Sequence, residues 1–390
     1  MMLGLLLARA GIEVTVLEKH ADFLRDFRGD TIHPSTLEVM HELGLLDDLL
    51  KLPHQEARHV SGVIGNFSLR VGDFSHLPTQ CKFLALMPQW DFLDFLAQKA
   101  RRYRSFDLRM QAEVTDLIEE GGRIAGVRAT TPGGPLAVRG ALTVGADGRH
   151  SLVRARAGFE VEDFGAPIDV LWMRLSRRPS DGAELFGRIG TGKIMVLLDR
   201  GDYWQCAFLI RKGGAEELKA RGLEFFRGAI VELIPQFADR VAEIASWDDV
   251  KLLTVKVDRL RTWYRPGLLC IGDAAHAMSP VGGVGINLAI QDAVATANLL
   301  AAKLKAGTLR DSDLEAVRRR RLLAVKVIQG MQVAVHNRVL KPVVSGTGGT
   351  LKAPWVMKVL DGHPALRRWP AQLLGLGVRP EHVHSPEGSI

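Results

Sequence analysis

The stretch GDAAHAMSPVGGVGINLAIQDA, Gly272 to Ala293, sets an acid, a proline and a run of glycines between two apolar segments. Leu268-Leu269-Cys270-Ile271 before it is short, apolar and strand-like. From Ile286 onward Ala, Leu, Ile and Val recur at helical spacing. Gly282, Gly283 and Gly285 therefore sit at a strand–loop–helix junction. Glycine lets backbone N–H groups approach a ligand closely, and a helix N-terminus favours an anion. The junction predicts an α/β fold with an anion-binding turn.

Upstream, Leu3 to Ala10 reads as a helix stopped by Gly11, and Ile12 to Leu17 as a strand ending in Glu18. Pro34 to Leu50 and Pro88 to Tyr103 read as further helices. Strands are predicted over 114–118, 123–130 and 136–144, with turns at Gly121-Gly122 and Gly133-Gly134. A second β-rich region carries strands over 170–175, 193–198 and 203–210 and one helix over 215–234. The chain then returns to the strand before Gly272 and a long helix. This order predicts a mixed α/β fold. A Rossmann-like domain would be built from residues 1–168 and 258–340, with an inserted antiparallel sheet domain over 169–257. Residues 341–390 would add short helices and a polar tail.

Composition bounds the function. The chain is 47% hydrophobic and 24% charged, with no run of about 18 uncharged apolar residues, so a spanning helix is not expected. Cys81, Cys206 and Cys270 are few, odd in number and far apart, which favours a reducing cytoplasm and no disulfide framework. The net charge of +7 suits anionic cofactors. Arg318 to Arg321 could be a nucleic-acid or membrane patch, but reads better as the solvated end of a helix starting near Asp311. No nucleic-acid partner is expected.

Single residues remain ambiguous. Glu18, after its strand, could hold an adenosine ribose, or simply lie at the surface or cap a helix. Asp147 and Gly148, in GADGRHS, suit a turn as well as a site; Arg149 and Arg154 could meet a phosphate. Asp273 and His276 lack a third metal ligand, so no metal is expected and His276 reads as a hydrogen-bonded loop residue. No G-x-S-x-G elbow supports a serine hydrolase.

Together these segments are more specific. LEK at Leu17–Lys19, RGDTIHPSTLEVM from Arg28, PQWDFLDFL from Pro88, GADGRHSLVR from Gly145 and the opening stretch resemble the FAD-dependent aromatic hydroxylases. These are the group A flavoprotein monooxygenases of the para-hydroxybenzoate hydroxylase type. The resemblance covers about residues 3 to 300. It implies that Glu18, with Lys19 beside it, holds the adenosine ribose, and that Arg28 lies near the diphosphate. Gln89 would touch the ribityl region and Val114 the adenine. Asp147 and Gly148 would lie where FAD meets NADH or NADPH. Asp273 would bind the ribityl or diphosphate region. Pro280, Gly282, Gly283, Val284, Gly285, Ile286 and Asn287 would pack against the isoalloxazine. Substrate would sit between flavin and inserted sheet, with Trp172, Arg174, Met195 and Phe208 as candidate walls.

The implied reaction uses NAD(P)H and O2 to hydroxylate an aromatic or polyketide-like ring through a flavin hydroperoxide, in a monomer or homodimer. The family also opens on a strand and a G-x-G-x-x-G turn. Here Glu18 lies too near Met1 for that turn, which implies that FAD binding by the chain as written is weakened.

Overall fold

The computed structural model describes residues 1–24, 31–65, 67–181, 187–346 and 363–388. Helix α1 (Met2–Arg9) ends before Gly11, whose φ of +76° suits glycine. It presses on strand β1 (Val14–Leu17): a Cβ on Gly4 would come 2.8 Å from Val16 and 2.9 Å from Phe106. Helix α2 (Pro34–Glu42) begins on a proline whose missing N–H costs nothing at that position. The single helix predicted over 34–50 breaks after Glu42 and resumes over Leu46–Leu49, because Gly44 turns at φ +66°. Strands β2 (His59–Ile64) and β3 (Phe67–Asp73) form a further hairpin. Helix α3 (Gln89–Ala100) leads to β4 (Phe106–Arg109), which pairs with β1 in parallel.

Strands β5 (Glu113–Glu120), β6 (Arg123–Thr131) and β7 (Gly134–Arg139) make the expected meander, turning on Gly121 and Gly122. The strand predicted over 136–144 divides at Gly140. Its second part, β8 (Thr143–Gly145), leaves the meander and pairs in parallel with Leu268–Cys270. The parallel pairs β1–β4 and β8 with Leu268–Cys270 belong to separate sheets. A short helix, α4 (Leu152–Arg156), follows β8.

The inserted region supplies β9 (Ile168–Ser176), β10 (Gly187–Gly190), β11 (Lys193–Asp199) and β12 (Tyr203–Arg211). The helix predicted over 215–234 breaks at Gly222, φ +90°, leaving α5 (Leu223–Leu233) as its main part. With β13 (Lys251–Leu253), these strands build one sheet in the order β13–β9–β12–β11–β10–β2–β3. The sheet thus recruits β2 and β3 from inside residues 1–168. The contact is the parallel pair β10–β2, Arg188 opposite Val63. Strand β14 (Leu268–Cys270), helix α6 (Gly285–Lys305) and helix α7 (Asp311–Val335) complete the body.

Side-chain alternation gives the large sheet two faces. Leu171, Met173, Met195, Cys206 and Phe208 pack on Phe226, Ile230 and Leu233 of α5. Each such side chain, fully buried, stabilises the fold by about 1.5–3 kcal/mol. Ile168, Val170, Trp172, Ile194, Ala207 and Leu209 face the other way, onto Val281, Val335, Val339 and Leu340. By length and composition, Val281–Lys305 could cross a membrane; 72% of its apolar window is buried inside the molecule, as in a core helix.

One surface expectation is corrected. Arg321 is 2% exposed and bonds Asp292 at 2.9 Å, while Arg320 pairs with Glu381 and Arg318 with Glu315. The arginine run is therefore largely paired, because α7 turns Arg321 toward α6. The C-terminal segment is also pinned. Val383 N–H donates to Glu42, His384 N–H to Asn298, and Gly388 N–H to the Arg9 carbonyl.

Candidate functional site

Strands β8 and β14 are parallel neighbours, with Gly145 opposite Cys270. Their following loops therefore leave the sheet side by side, where open α/β sheets bind ligands. Gly145 is required at this point: a Cβ would meet Val153 at 2.8 Å and Cys270 Sγ at 3.0 Å. Beyond it, Asp147 accepts hydrogen bonds from Ser151 Oγ and, at 3.1 Å, from Val153 N–H. Its carboxylate thus caps α4, and Gly148 turns at φ +84°. Arg154 is buried and donates to both oxygens of Asp258, at 3.0 and 3.1 Å. That pairing removes it as a phosphate contact. Arg149 instead reaches across the loops to Asp273, with Nη2 3.2 Å from Oδ2.

The second loop holds the glycine turn. Gly282 and Gly283 adopt φ +82° and +62°. A Cβ on Gly283 would lie 2.2 Å from Thr31 Oγ1. Gly283→Ala is therefore expected to cost about 1–3 kcal/mol of stability, read by thermal melting, and to weaken cofactor uptake in parallel. Asn287 stitches the turn to residues 31–36. It accepts from His33 N–H at 2.9 Å and Thr36 Oγ1 at 2.7 Å, and donates to the Thr31 and Gly283 carbonyls at 3.2 Å each. All four of its bonding positions are filled by protein, so its side chain holds the loop rather than a ligand.

Three buried histidines flank the same loop. His276 Nε2 bonds Asp292 at 2.6 Å. His336 Nε2 meets Ser279 Oγ at 2.8 Å. His33 Nδ1 donates to the Leu374 carbonyl at 2.7 Å. Burial pushes the His33 ring down to about 4 and lowers His336 as well. Gln332 completes the brace from α7, accepting from Ser279 N–H and donating to the Ser279 and Val281 carbonyls. Gln332 and His336 belong to no motif whose spacing could be read, and His33, inside the segment from Arg28, is given no role by the resemblance.

The remaining candidates separate. Glu18 follows β1, is partly buried, and accepts from His20 N–H at 3.0 Å. Lys19 is exposed. Val114 lies in β5 close by, since Ala112 N–H donates to the Glu18 carbonyl. Gln89 opens α3, which approaches the large sheet. There, burial and the Asp94 charge raise the Asp91 carboxyl, and Arg200 partly offsets them. Arg28 lies outside the described residues. Trp172 is on the sheet face that meets Val281, as a wall residue would be. Met195 and Phe208 are not: they face α5 on the opposite side, because they alternate with the wall positions. Arg174 is exposed, stacks on Tyr203 and lines an open cleft of 510 Å³ with Lys251 and Asp249. Among the described residues, no group of three or more His, Cys, Asp or Glu side chains could hold a metal ion.

The profile of the family described as FAD binding domain matches residues 1–330. The chain belongs to this FAD-binding family. It is 34% identical to 6-methylpretetramide 4-monooxygenase of Streptomyces rimosus, over 86% of this chain and 82% of the relative. It is 27% identical to dialkyldecalin synthase of Streptomyces rugosporus, over 75% of this chain and 61% of that protein. The fold matches OxyS anhydrotetracycline hydroxylase from Streptomyces rimosus with a TM-score of 0.72 at 22% identity, over 99% of this chain and 75% of that one. The mixed α/β architecture with a Rossmann-like flavin domain is that of FAD-dependent monooxygenases, and the chain is an oxidoreductase of this group. The residues present fit the cofactor: a turn with no room for a Cβ at Gly283, and a cationic Arg149 whose Nη1 is buried without a partner.

Proposed function

We propose that this enzyme hydroxylates a fused-ring aromatic or polyketide-derived phenol, with NADH or NADPH as reductant and O2 as oxygen donor. The observation that carries this is the 34% identity along most of 6-methylpretetramide 4-monooxygenase, together with the paired loops after β8 and β14. The balance is ring C–H, NAD(P)H, H⁺ and O2 giving ring C–OH, NAD(P)⁺ and water. Bound FAD supplies the redox chemistry, taking the hydride equivalent and activating O2. The chain's own residues position and exclude water. Glu18 would accept ribose hydroxyls, Asp273 would accept hydroxyls of the ribityl region, and the Gly282–Gly283 backbone would receive the ring system. Trp172, packed with Val281, closes the apolar side of the substrate space. Residues 1–168 and 258–340 carry the flavin, and residues 169–257, with β2 and β3, carry the substrate wall. All three cysteines are buried and unpaired, in keeping with work in a reducing cytoplasm.

The test is aerobic turnover of purified protein reconstituted with FAD against a panel of polycyclic phenols, using heavy-isotope O2. One labelled oxygen atom per product molecule is expected. NAD(P)H consumption with an unoxygenated product would instead indicate another flavin oxidation or reduction on this scaffold. Protein that takes up no FAD would indicate a flavin-free binding role.

A further inference from the structure

We propose that the C-terminal helix α8 (Arg368–Gly375) is a spacer between the edge of the large sheet and the glycine turn, with Leu374 as its positioning residue. Its bearing on the flavin rests on the FAD-dependent reading above. At the sheet end the contact is made by backbone. Strand β3 is the last strand of the large sheet. A Cβ on its Gly72 would lie 3.8 Å from the N, Cα and Cβ of Ala371, so the bare strand admits the helix. Ala371 is 0% exposed and packs with Phe74, Leu77, Leu84 and Leu86. Gly375, four residues on and therefore on the same helix face, is equally close: a Cβ there would meet Leu77 Cδ1 at 2.7 Å and Phe74 at 3.2 Å. Helix α8 is thus seated on β3 and on the turn that follows it.

At the other end the contact is the carbonyl and side chain of Leu374. The last four carbonyls of a helix have no partner within it. Here the Gln372 and Leu373 carbonyls accept from Gly377 N–H, where the chain turns at φ +76°. The Leu374 carbonyl accepts instead from His33 Nδ1 at 2.7 Å, and His33 N–H donates to Asn287 Oδ1 at 2.9 Å. The Leu374 side chain reaches the turn itself: its Cδ1 lies 2.9 Å from where a Cβ of Gly282 would stand. One residue therefore touches the turn directly and, through His33, the asparagine that stitches it. Glycine has the widest backbone freedom of any residue, so the Gly282–Gly283 turn keeps one shape only where its neighbours impose it. The substrate space proposed above lies between this turn and the sheet. A helix seated on both fixes the gap, and a turn already held in shape leaves less ordering to be done when a ligand binds.

The experiment compares wild type with Leu374→Ala, Leu374→Met, Ala371→Val and Leu233→Ala. The last truncates the core under α5, on the opposite face of the sheet, and reports lost stability alone. Amide hydrogen exchange of the peptide spanning Pro280 to Leu288 is followed by mass spectrometry in the apoprotein, with melting temperatures beside it. FAD dissociation constants come from flavin fluorescence on titration into apoprotein. Leu374→Ala is expected to speed exchange at the turn about tenfold and to weaken FAD binding about 5- to 30-fold. Leu374→Met, which keeps the volume, recovers most of both. Ala371→Val, wedged against Gly72 at the sheet end, is expected to speed exchange at the turn as well. Leu233→Ala is expected to melt lower with the turn exchanging as in wild type. Exchange at wild-type rates in Leu374→Ala or in Ala371→Val overturns the proposal. So does a Leu233→Ala variant whose turn exchanges as fast as that of Leu374→Ala, since the turn then merely follows overall stability. Faster exchange with unchanged FAD affinity overturns the placement of the flavin against this turn and leaves the spacer standing. Wild-type protein that takes up no FAD overturns the flavin reading, while the exchange comparison still decides the spacer.

Discussion

Asp292→Asn is expected to destabilise the protein by about 3–5 kcal/mol, because it breaks a buried ionic cluster from its centre. Asp292 is 0% exposed in α6. Its Oδ2 bonds His276 Nε2 at 2.6 Å and accepts from Gly272 N–H at 3.0 Å, and its Oδ1 accepts from Arg321 Nε at 2.9 Å. Burial by itself would raise this carboxyl; His276 and then Arg321 outweigh it and hold the group below its usual range. The cluster continues through Arg321 to Glu381, 3.4 Å away, so the C-terminal segment is tied to the loop that carries Asp273. Asparagine keeps the shape but removes the charge, leaving the Arg321 guanidinium largely desolvated with one distant carboxylate. Urea unfolding of the apoprotein measures the effect, and a loss below about 1 kcal/mol would show that solvent reaches the cluster. Since Gly272 precedes Asp273, FAD affinity is expected to fall in the same variant.

What was readable in the sequence follows from range. The apolar run at Leu268–Ile271, its glycine turn and the following helix are written within some 30 residues, and local periodicity reports them. The meander is equally local, with Gly121 and Gly122 at positive φ marking one turn. The pairing of Arg188 with Val63 is not local, and no periodicity in β2 or β3 reports which distant strand they join. The same holds for Asp292 with Arg321 and for Arg149 with Asp273, 29 and 124 residues apart. Residue type alone sets Met195 and Phe208 beside Trp172; strand parity separates them. Cross-strand register places Trp172 opposite Ala207, so Phe208 necessarily points to the other face. The breaks at Gly44 and Gly222 show the opposite case. Both glycines were visible, and a positive φ at each decides what helical periodicity alone would carry through.

Stability is also expected to fall by about 2 kcal/mol between pH 8 and pH 5, from His33 alone. Its pKa drops from 6.5 in the unfolded chain to about 4 in the fold, first through burial, with the Leu374 and Gly283 carbonyls opposing. Between those values the unfolded chain binds the extra proton and the native one does not. The stabilisation is therefore complete above pH 6.5 and is lost progressively as pH falls toward 4. His336, also lowered by burial, acts with the same sign. Both rings lie against the turn: His33 bonds the Leu374 carbonyl through Nδ1, with its Nε2 3.5 Å from where a Cβ of Gly283 would stand, and His336 bonds Ser279. Protonation of either drives charge into a site with no carboxylate bonded to the ring, so the turn is expected to loosen before the large sheet does. Melting of the apoprotein from pH 8 to pH 5 tests this against His33→Gln, which cannot titrate. The variant should start lower, having lost ring packing, but fall less steeply, retaining only the His336 share and that of other groups. Parallel slopes in the two proteins would show that the His33 ring is hydrated in the fold and titrates as it does in the unfolded chain.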